Sequence, residues 1–354
     1  MASTRVIGLD IGTTAVRAAE VEFGSGGPSA SGVATLHRFG QVPLPLGVVR
    51  DGEVVEQGVV ASALRQLWAQ QHFTTRDVVI GVGNQRVLVR ELDLPWMPTA
   101  QLKTSLPFQV QELLPMSTDE AYLDYFPTRE FDGANGRTFQ GMLVAAQRDT
   151  VNANVVAVEG AGLRATMVDL NAFALVRALA RGELAQQTVA LVDVGASVTT
   201  VAIVVHGVPR LVRILPGGGL QVTNAVASAM GIAALEADAV KRQIGVGYAV
   251  APDQETAAAA ISSVVTSLIE AVRNTFVYYA GNNPGAGIEI AVMTGGGAQL
   301  PGLGQYLSSA SRVPVMLGDA LAGLKMGKGI DRESFSGYES LVAIPVGLAH
   351  GVAA

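Results

Sequence analysis

The sequence predicts an α/β fold in which two similar domains face each other across a cleft, with a small α+β insertion in the first domain. The main observation is a repeated hairpin: residues 6–17 and 189–201 each carry an apolar strand, an Asp-x-Gly turn and a second strand. Hydrophobic residues make up 49% of the chain and aromatic residues only 5%, so we expect a core of Val, Ala, Leu and Ile, which suits α/β layers. The length of 354 residues exceeds what one core normally supports.

The composition argues against several classes of function. A net charge of −6 disfavours a general affinity for nucleic acid or for an anionic membrane. The chain has no cysteine, which excludes disulfides, thiolate metal sites and cysteine nucleophiles. The N-terminus leads directly into a predicted strand without a signal-peptide core. We therefore expect a soluble, cytoplasmic protein that reaches a membrane only through a partner.

The first domain is predicted from alternating apolar residues and turn signals. After the opening hairpin come a Gly/Ser/Pro loop, a third strand, an amphipathic helix and a further strand. In chain order these elements are predicted at residues 5–23, 24–29, 32–42, 55–72 and 77–82.

The pattern changes near residue 85, where shorter segments predict the insertion. The order is strand, helix, strand, strand, helix and strand, with a strong turn at residues 132–136 between the two middle strands. Pro107 lies inside the first of these helices and weakens its helical pattern. In chain order the six elements are predicted at residues 86–94, 100–114, 122–126, 139–145, 149–159 and 167–169.

The second domain begins with the repeated hairpin and continues with alternating strands and helices. Gly231 is a natural end for one helix, and the segment 318–336 is predicted as a loop. Strands are predicted at 208–215, 288–293 and 313–317, and helices at 220–230, 233–244, 253–279, 303–309 and 341–352.

Carboxylates and glycines recur where the predicted strands end. Asp10 and Asp193 each close an apolar strand, where an unpaired charge is costly. Each either caps its own turn or shares a cation with the other, and Mg²⁺ prefers such oxygen ligands together with water and phosphate oxygens. Glycine turns at 217–219 and 295–297 expose backbone N–H groups that suit an anion.

Hydroxyl and basic side chains near these turns suit phosphate binding. Thr13, Thr14, Ser197 and Thr199 could donate hydrogen bonds to phosphates, and Arg17 either reaches a phosphate or is a surface residue. Asp238 and Lys241 lie three residues apart on one helix, where they form either a surface ion pair or a clamp on a nucleoside. Other chemistries fit poorly, because the four histidines are scattered and the chain has neither a Gly-x-Ser-x-Gly elbow nor a P-loop.

Together these motifs resemble those of the actin-like ATPase superfamily, which includes actin, DnaK-type chaperones, sugar kinases and FtsA. The resemblance implies the two-domain actin-like (ribonuclease H-like) fold, with phosphate motifs at residues 9–17 and 192–200 and an adenosine motif at 292–298. It implies ATP and Mg²⁺ as ligands, with Asp10 and Asp193 holding the metal through water. The nucleotide-binding residues that it implies are Gly12, Thr13, Thr14, Arg17, Gly195, Ser197, Thr199, Gly218, Gly219, Asp238, Lys241, Gly295, Gly296 and Gly297.

This chain departs from the superfamily pattern at two of those positions. Arg17 stands where lysine is usual, which keeps a phosphate contact but changes its geometry. Asp238 stands where glutamate is usual, so its reach towards a ribose is shorter. No catalytic residue is assigned.

Within the superfamily the chain most resembles the PilM proteins of type IV pilus assembly, which are related to FtsA. The matching motifs are spread over nearly the whole chain, at residues 8–12, 109–115, 122–125, 160–163, 192–197, 216–219 and 294–303. The resemblance implies four segments. They are an actin-like domain 1 (1–84), the inserted subdomain 1C (85–165), an actin-like domain 2 (166–325) and a return to domain 1 (326–354).

The PilM resemblance implies a cytoplasmic ATP-binding scaffold with slow or no hydrolysis, located at the inner face of the cytoplasmic membrane. In that family the insertion holds the cytoplasmic N-terminal peptide of PilN, an inner-membrane protein. Other pilus assembly proteins, including cytoplasmic ATPases, and self-association are further expected contacts. FtsA carries a membrane helix after its last motif, whereas this chain stops after the last predicted helix, which favours PilM.

Two alternatives stay open at this point. One is an FtsA-like filament protein of cell division. The other is a small-molecule kinase of the same fold, which would need a general base in the cleft. Asp149 and Asp169 are candidates for that base by residue type alone.

Overall fold

Two large β-sheets, of six and five strands, form the two halves of the molecule, and a three-stranded sheet is inserted in the first half. The computed structural model describes residues 3–24, 27, 33–134 and 136–351. The strands are β1 (Thr4–Ile11), β2 (Ala15–Phe23), β3 (Thr35–Pro43), β4 (Val49–Arg50), β5 (Glu53–Val54), β6 (Asp77–Val82), β7 (Val87–Pro95), β8 (Ala121–Gly133), β9 (Gly136–Gln147), β10 (Arg164–Leu170), β11 (Thr188–Val194), β12 (Val198–Val205), β13 (Val208–Pro216), β14 (Ile290–Thr294), β15 (Val315–Leu317) and β16 (Lys325–Met326). The helices are α1 (Gln57–Gln71), α2 (Thr99–Val110), α3 (Arg148–Gly160), α4 (Asn171–Leu179), α5 (Gly219–Met230), α6 (Ala234–Ile244), α7 (Glu255–Asn282), α8 (Leu303–Ser311) and α9 (Ala343–Ala349).

The six-stranded sheet has the order β10-β6-β1-β2-β3-β16. β1 and β2 form the opening hairpin, and Asp10 pairs with Arg17 in its register. Because side chains alternate across a strand, one set of apolar residues, such as Leu9 and Ile80, packs under α1 and α3. The other set faces α4 and α9.

The five-stranded sheet repeats this plan in the order β13-β12-β11-β14-β15. β11 and β12 form the second hairpin, with Asp193 opposite Thr200. As β1 runs parallel to β6, so β11 runs parallel to β14. The outer face is covered by α5, α6, α7 and α8, and the inner face packs on α4 and α9. The predicted duplication of the hairpin is therefore present in three dimensions.

The helices α4 and α9 lie between the two sheets and contact each other closely. A Cβ on Gly347 of α9 would overlap the backbone of Ala174 in α4, and a Cβ on Gly8 of β1 would overlap the Pro345 carbonyl of α9. Only glycine fits at these two crossings, because any side chain would force the backbones apart.

The inserted sheet, which comprises β7, β8 and β9 in the order β7-β9-β8, carries α2 on one face. Leu102, Leu106 and Val110 of α2 pack there with Tyr125 and Leu143. The other face contributes Val87, Met142 and Ala146 to the cluster that contains α4. The insertion thus has a small core of its own and also packs against the centre of the molecule.

Several elements differ from the sequence prediction. The strands predicted at 122–126 and 139–145 extend into a long hairpin, β8 and β9, because residues of both strands beyond those bounds also pair. The segment 318–336 contains β16, which pairs with β3. Within the predicted loop 24–29, turn 132–136, third strand 32–42 and last helix 341–352, residues 25–26, 28–29, 32, 135 and 352 lie outside the described residues.

The predicted domain boundaries remain a proposal. β10, which they assign to the second domain, pairs with β6 in the six-stranded sheet. α3, which they assign to the insertion, contributes Ala157 and Val158 to the core under that sheet. By sheet membership the insertion is closer to residues 87–147.

One helical stretch among the described residues, Pro252–Asn282, is long and apolar enough to cross a membrane by length and composition. It includes α7, whose residues Ile261, Val265 and Val272 are fully buried against the other helices of the second half. Burial of one stripe of the helix is typical of an amphipathic helix that packs on a globular domain.

Candidate functional site

A cavity of about 370 Å³ lies between the two hairpins, at the ends of β1 and β11. Its volume is within the usual range for a small-molecule site. Both halves of the molecule line it, so the cleft predicted from the repeated hairpin exists. The predicted site residues that line it are Asp10, Gly12, Thr13, Thr14, Arg17, Asp193, Gly195, Gly219, Asp238, Lys241, Gly295, Gly296 and Gly297.

Asp10 and Asp193 are buried carboxylates in the lining of the cleft, at 7% and 9% exposure. Arg17 lies beside Asp10 on the neighbouring strand, with its Nη1 3.6 Å from Asp10 Oδ2. Burial raises the pKa of Asp193 to about 7, the Asp10 charge adds to this rise, and Arg17 opposes it. Burial also raises the pKa of Asp10 against the nearby Arg17. Both shifts reflect carboxylates that lack sufficient compensating positive charge.

A divalent cation would supply that charge, and the donor set fits Mg²⁺ bound partly by water. No group of three or more His, Cys, Asp or Glu side chains within the described residues could hold a metal by itself. Two carboxylates leave most positions of an octahedral Mg²⁺ to water and to phosphate oxygens, which is the usual arrangement for this ion. The residues present therefore suit a metal that arrives with a phosphate ligand.

The hydroxyl residues behave differently from one another. Thr13 and Ser197 meet across the cleft, with their Oγ atoms 2.6 Å apart, so the two hairpin turns are in direct contact. The expectation that Thr199 binds phosphate is wrong, because its side chain is fully buried and its hydroxyl donates to the Gly217 carbonyl at 2.8 Å. Since side chains alternate along β12, it is Thr200 that lines the cavity.

The glycines allow three backbone turns to approach one another. Gly295 has φ of +85°, and a Cβ there would lie 2.6 Å from Asp193 Oδ1. A Cβ on Gly297 would lie 2.9 Å from the Gly195 carbonyl oxygen. Gly218 lines a smaller adjoining cavity of about 180 Å³, which shares Gly219, Lys241 and Gly297 with the main one. Side chains at these positions would fill the space beside the carboxylates.

Asp238 and Lys241 form an ion pair in the wall of the cleft, with Nζ 2.6 Å from Oδ1. Lys241 also donates to Thr223 Oγ1 at 2.7 Å and to the Gly219 carbonyl at 3.1 Å. Burial acts to raise the pKa of Asp238, but Lys241 and Arg242 outweigh it and hold the pKa below its ordinary value. The pair is thus partly buried, and Lys241 is committed to holding the Gly219 turn.

Several lining residues were not predicted from the sequence, because they come from distant segments with no motif of their own. Asn154 of α3 and Asn171 at the start of α4 line the cavity, and the buried Oδ1 atom of each has no hydrogen-bond partner among the residues that the structure describes. Gln299, Tyr338 and Ser340 line the opposite side. Only Asn171 carried a usable signal, as the polar residue where a strand passes into a helix.

The two carboxylates considered as a kinase base lie elsewhere. Asp149 is exposed in the first turn of α3, and Asp169 pairs with Arg177. Neither is among the residues that line the cavity in the described part of the chain. The residue types that suggested a base therefore do not supply one here.

A family model described as Type IV pilus assembly protein PilM matches residues 8–351. Among curated proteins, the cell division protein FtsA of Bacillus subtilis (strain 168) is 21% identical over 264 residues, which cover 68% of this chain. The chain spans 58% of the length of that FtsA.

Two solved structures resemble the whole chain. One is described as a PilM-PilN type IV pilus biogenesis complex, with a TM-score of 0.84, 25% identity and 98% coverage of both chains. The other is the ethanolamine utilization protein EutJ from Carboxydothermus hydrogenoformans, with a TM-score of 0.54, 17% identity, and coverage of 99% of this chain and 90% of EutJ. These likenesses confirm the actin-like ATPase fold predicted from the sequence.

Proposed function

The chain belongs to the PilM family of type IV pilus assembly proteins, and from that premise we propose that it is an ATP-binding scaffold at the inner face of the cytoplasmic membrane. In this proposal it holds the cytoplasmic N-terminal peptide of an inner-membrane PilN-type protein. The observation that carries the proposal is the family match over residues 8–351, supported by the likeness to a PilM-PilN complex. The FtsA-like alternative has less support, since that match covers 58% of FtsA.

The nucleotide belongs in the cleft. When bound, Mg-ATP supplies a divalent cation and a chain of phosphate oxygens. Asp10 and Asp193 would hold the metal through water, and their burial favours any ligand that brings positive charge. Thr13, Thr14 and the glycine backbones would donate to phosphate, with Ser197 held against Thr13. Arg17 would add positive charge, and Asp238 with Lys241 would form the wall towards the nucleoside.

Hydrolysis is slow or absent in this proposal. A fast kinase needs a group that takes a proton from the attacking hydroxyl, and a fast ATPase needs a side chain that positions the attacking water, a role that no residue is assigned in this proposal. The carboxylates that line the cavity within the described residues are Asp10, Asp193 and Asp238. The first two are assigned to the metal and the third is paired with Lys241 and Arg242. The kinase alternative lacks a base for the same reason.

The partner surface that we propose is the outer edge of β8. β8 is an edge strand of the inserted sheet, so its outer N–H and C=O groups are free to pair with an extended peptide. Tyr122 and Phe126 are 43% and 48% exposed on this strand. Arg148 of α3 lies 4.6 Å from the Tyr122 ring, which places the surface at the junction of the insertion and the first half.

The charge of this edge suits a basic peptide. The strand and the turn before it carry five carboxylates and one arginine, namely Asp119, Glu120, Asp124, Glu130, Asp132 and Arg129. Arg137 of β9 pairs with Glu130 and Arg148 lies over Tyr122, so the remaining negative charge comes from the four other carboxylates. Short cytoplasmic segments next to a membrane span carry excess Lys and Arg, and an N-terminus adds an α-amino group. We therefore expect an attraction between this edge and the cytoplasmic end of a PilN-type protein.

A calorimetric titration tests the partner assignment. A synthetic peptide of the cytoplasmic N-terminal segment of the PilN protein from the same organism is titrated into the full chain at low and at high salt. We expect binding that weakens with salt, because exposed charges are screened. The variant Phe126→Ser should bind at least about tenfold more weakly, since apolar residues at the centre of an interface dominate affinity.

The matched control is Leu235→Ser, because Leu235 is 86% exposed on α6, in the second half of the molecule. This variant should keep the affinity of the unmodified chain. Equal binding by the unmodified chain and Phe126→Ser would contradict the assignment to β8. Absence of peptide binding by the unmodified chain would contradict the scaffold function itself.

A further inference from the structure

Two rigid elements join the nucleotide cleft to the inserted sheet. The strand β13 runs from the insertion to the glycine turn at 217–218, and the six residue steps from Arg210 to Pro216 span about 20 Å. The helix α4 starts at Asn171, which lines the cleft. Both elements therefore have one end at the cleft and a contact with the insertion further along.

Arg210 makes the contact at the far end of β13. Its Nη1 lies 3.1 Å from Gln140 Oε1 of β9 and 3.5 Å from Glu91 Oε1 of β7. Arg210 belongs to the five-stranded sheet, whereas Gln140 and Glu91 belong to the insertion, which is covalently part of the first half. The bridge is partly buried, with the Arg210 side chain 25% exposed.

The contact of α4 lies on the strand proposed to bind the partner. The rings of Phe173 in α4 and Phe126 in β8 pack with their centroids 5.6 Å apart. Phe173 is two residues beyond Asn171, in the first turn of the helix. A shift of α4 at the cleft would therefore move the ring that supports Phe126.

A ligand in the cleft contacts both halves, because the lining residues come from both hairpins. A ligand held by both halves would restrain the angle between the two sheets. Because the insertion is covalently part of the first half, a change in this angle would change how closely β13 approaches β7 and β9. Among the described residues, the Arg210 bridge is a polar contact between β13 and the insertion. By thermodynamic linkage, the factor by which the nucleotide changes the peptide affinity equals the factor by which the peptide changes the nucleotide affinity.

We propose that Arg210 couples the cleft to the partner surface, so that nucleotide in the cleft changes the affinity of the β8 edge for its peptide. This inference rests on the proposed function, since it needs both ligands to bind. It assigns to Arg210 a positioning role, because Arg210 touches neither the cleft ligand nor the β8 edge.

The test is a thermodynamic cycle on the full chain. The dissociation constant of the PilN peptide is measured with and without saturating Mg-ATP, and that of Mg-ATP with and without peptide. In the unmodified chain we expect each ligand to change the affinity of the other by at least about fivefold. In Arg210→Met, which keeps an apolar stem but loses the guanidinium, both ratios should fall to within about twofold of one.

The matched control is Arg213→Met on the same strand, because the Arg213 guanidinium lies 4.4 Å from the Tyr278 ring instead of the insertion. It should keep the full ratio. Gln140→Met removes the shorter of the two Arg210 contacts from the other side and leaves the Glu91 contact, so it should lower both ratios in the same direction as Arg210→Met. Thermal unfolding of each variant verifies that it is folded.

The outcomes separate the two proposals. The coupling is overturned if the unmodified chain binds both ligands but neither changes the dissociation constant of the other. It is also overturned if the change in dissociation constant persists in both Arg210→Met and Gln140→Met. Either result leaves the scaffold function intact. A chain that binds no Mg-ATP, or no peptide, overturns the proposed function and the coupling with it.

Discussion

Asp10 and Asp193 are buried carboxylates that line the same cleft, and each costs the folded chain free energy unless a positive charge compensates it. Arg17 offers one guanidinium to the two of them, and it stands beside Asp10. The pKa of Asp193 at about 7 expresses the remaining imbalance. At the scale of single residues, the cleft is therefore organised for a cation.

Replacing Asp193 by asparagine should weaken Mg-nucleotide binding while the fold survives. The amide keeps the size of the side chain but removes the charge that holds the hydrated metal. We expect a loss of at least about tenfold in affinity, as for other supporting ligands of metals. Calorimetric titration with ATP and Mg²⁺ measures it.

Asp149→Asn is the matched control for this prediction, since Asp149 is an exposed aspartate outside the cavity. Its Mg-ATP affinity should equal that of the unmodified chain. An Asp193→Asn chain that binds Mg-ATP as tightly as the control would disprove the metal assignment.

His350 should make the protein less stable in mild acid. Burial is the main cause that lowers the pKa of His350 to about 4, and the charges of Arg181 and Arg177 lower it further. A hydrogen bond to the Val346 carbonyl acts in the opposite direction. The ring packs edge-on against Phe23 with centroids 4.9 Å apart. An unfolded histidine titrates near its ordinary pKa of about 6.5.

Between these two pKa values the unfolded chain binds more protons than the folded chain, so stability rises with pH there and is lost as pH falls. From pH 7 to pH 5 we expect His350 to account for about 2 kcal/mol of lost stability. Denaturant unfolding at both pH values should show a smaller loss in His350→Gln than in the unmodified chain. An equal loss in the two proteins would refute the assignment.

At the scale of elements, the two hairpins and the two central helices position the site. The hairpins place one carboxylate each at the end of a buried strand. The helices α4 and α9 separate the two sheets, and their mutual distance is set by glycine. The glycine turn at 295–297 then lies against the end of the second hairpin strand, at Asp193 and Gly195. The geometry of the cleft thus depends on backbones that approach one another without side chains between them.

Gly347→Ala should destabilise the protein by about 3 kcal/mol, because the new methyl group overlaps the Ala174 backbone and overpacked cores resist such insertions. Gly281→Ala is the matched control, since Gly281 lies in α7 with nothing within 4 Å of a Cβ. That variant should be more stable by about 0.5–1 kcal/mol, because alanine favours helix over glycine. Chemical denaturation measures both, and similar effects of the two substitutions would contradict the packing argument.

At the scale of the whole molecule, the insertion contacts both halves and has its own small core. Its two ends lie side by side, since the Gln147 N–H donates to the Arg86 carbonyl at 3.2 Å. The insertion therefore leaves and re-enters the first half at one place. This arrangement permits a partner site that is separate from the cleft and still in contact with it.

Removing residues 87–146 and joining Arg86 to Gln147 by a short glycine linker should abolish peptide binding and keep Mg-ATP binding within about threefold, because chain excisions are tolerated where the ends meet. α3 must be retained, since Ala157 and Val158 belong to the core of the first half. Circular dichroism and Mg-ATP titration verify that the shortened chain is folded. Peptide binding by this folded chain would place the partner site elsewhere.

The sequence determined the features that depend on neighbouring residues. Period-2 alternation and Asp-x-Gly turns are local, so the two hairpins, their carboxylates and the glycine turns were predictable, and their repetition indicated two facing halves. The motif order then identified the family, which the match over residues 8–351 confirms.

Tertiary structure decided what depends on register and on long-range contact. A shift of one residue along β12 determines that Thr200 faces the cleft and Thr199 does not. Asn154 and Asn171 reach the cavity because α3 and α4 pack on the first sheet, and Arg210 reaches the insertion because β13 is an edge strand beside β7. These positions are set by packing between segments far apart in the chain, and local sequence patterns carry no information about such distances.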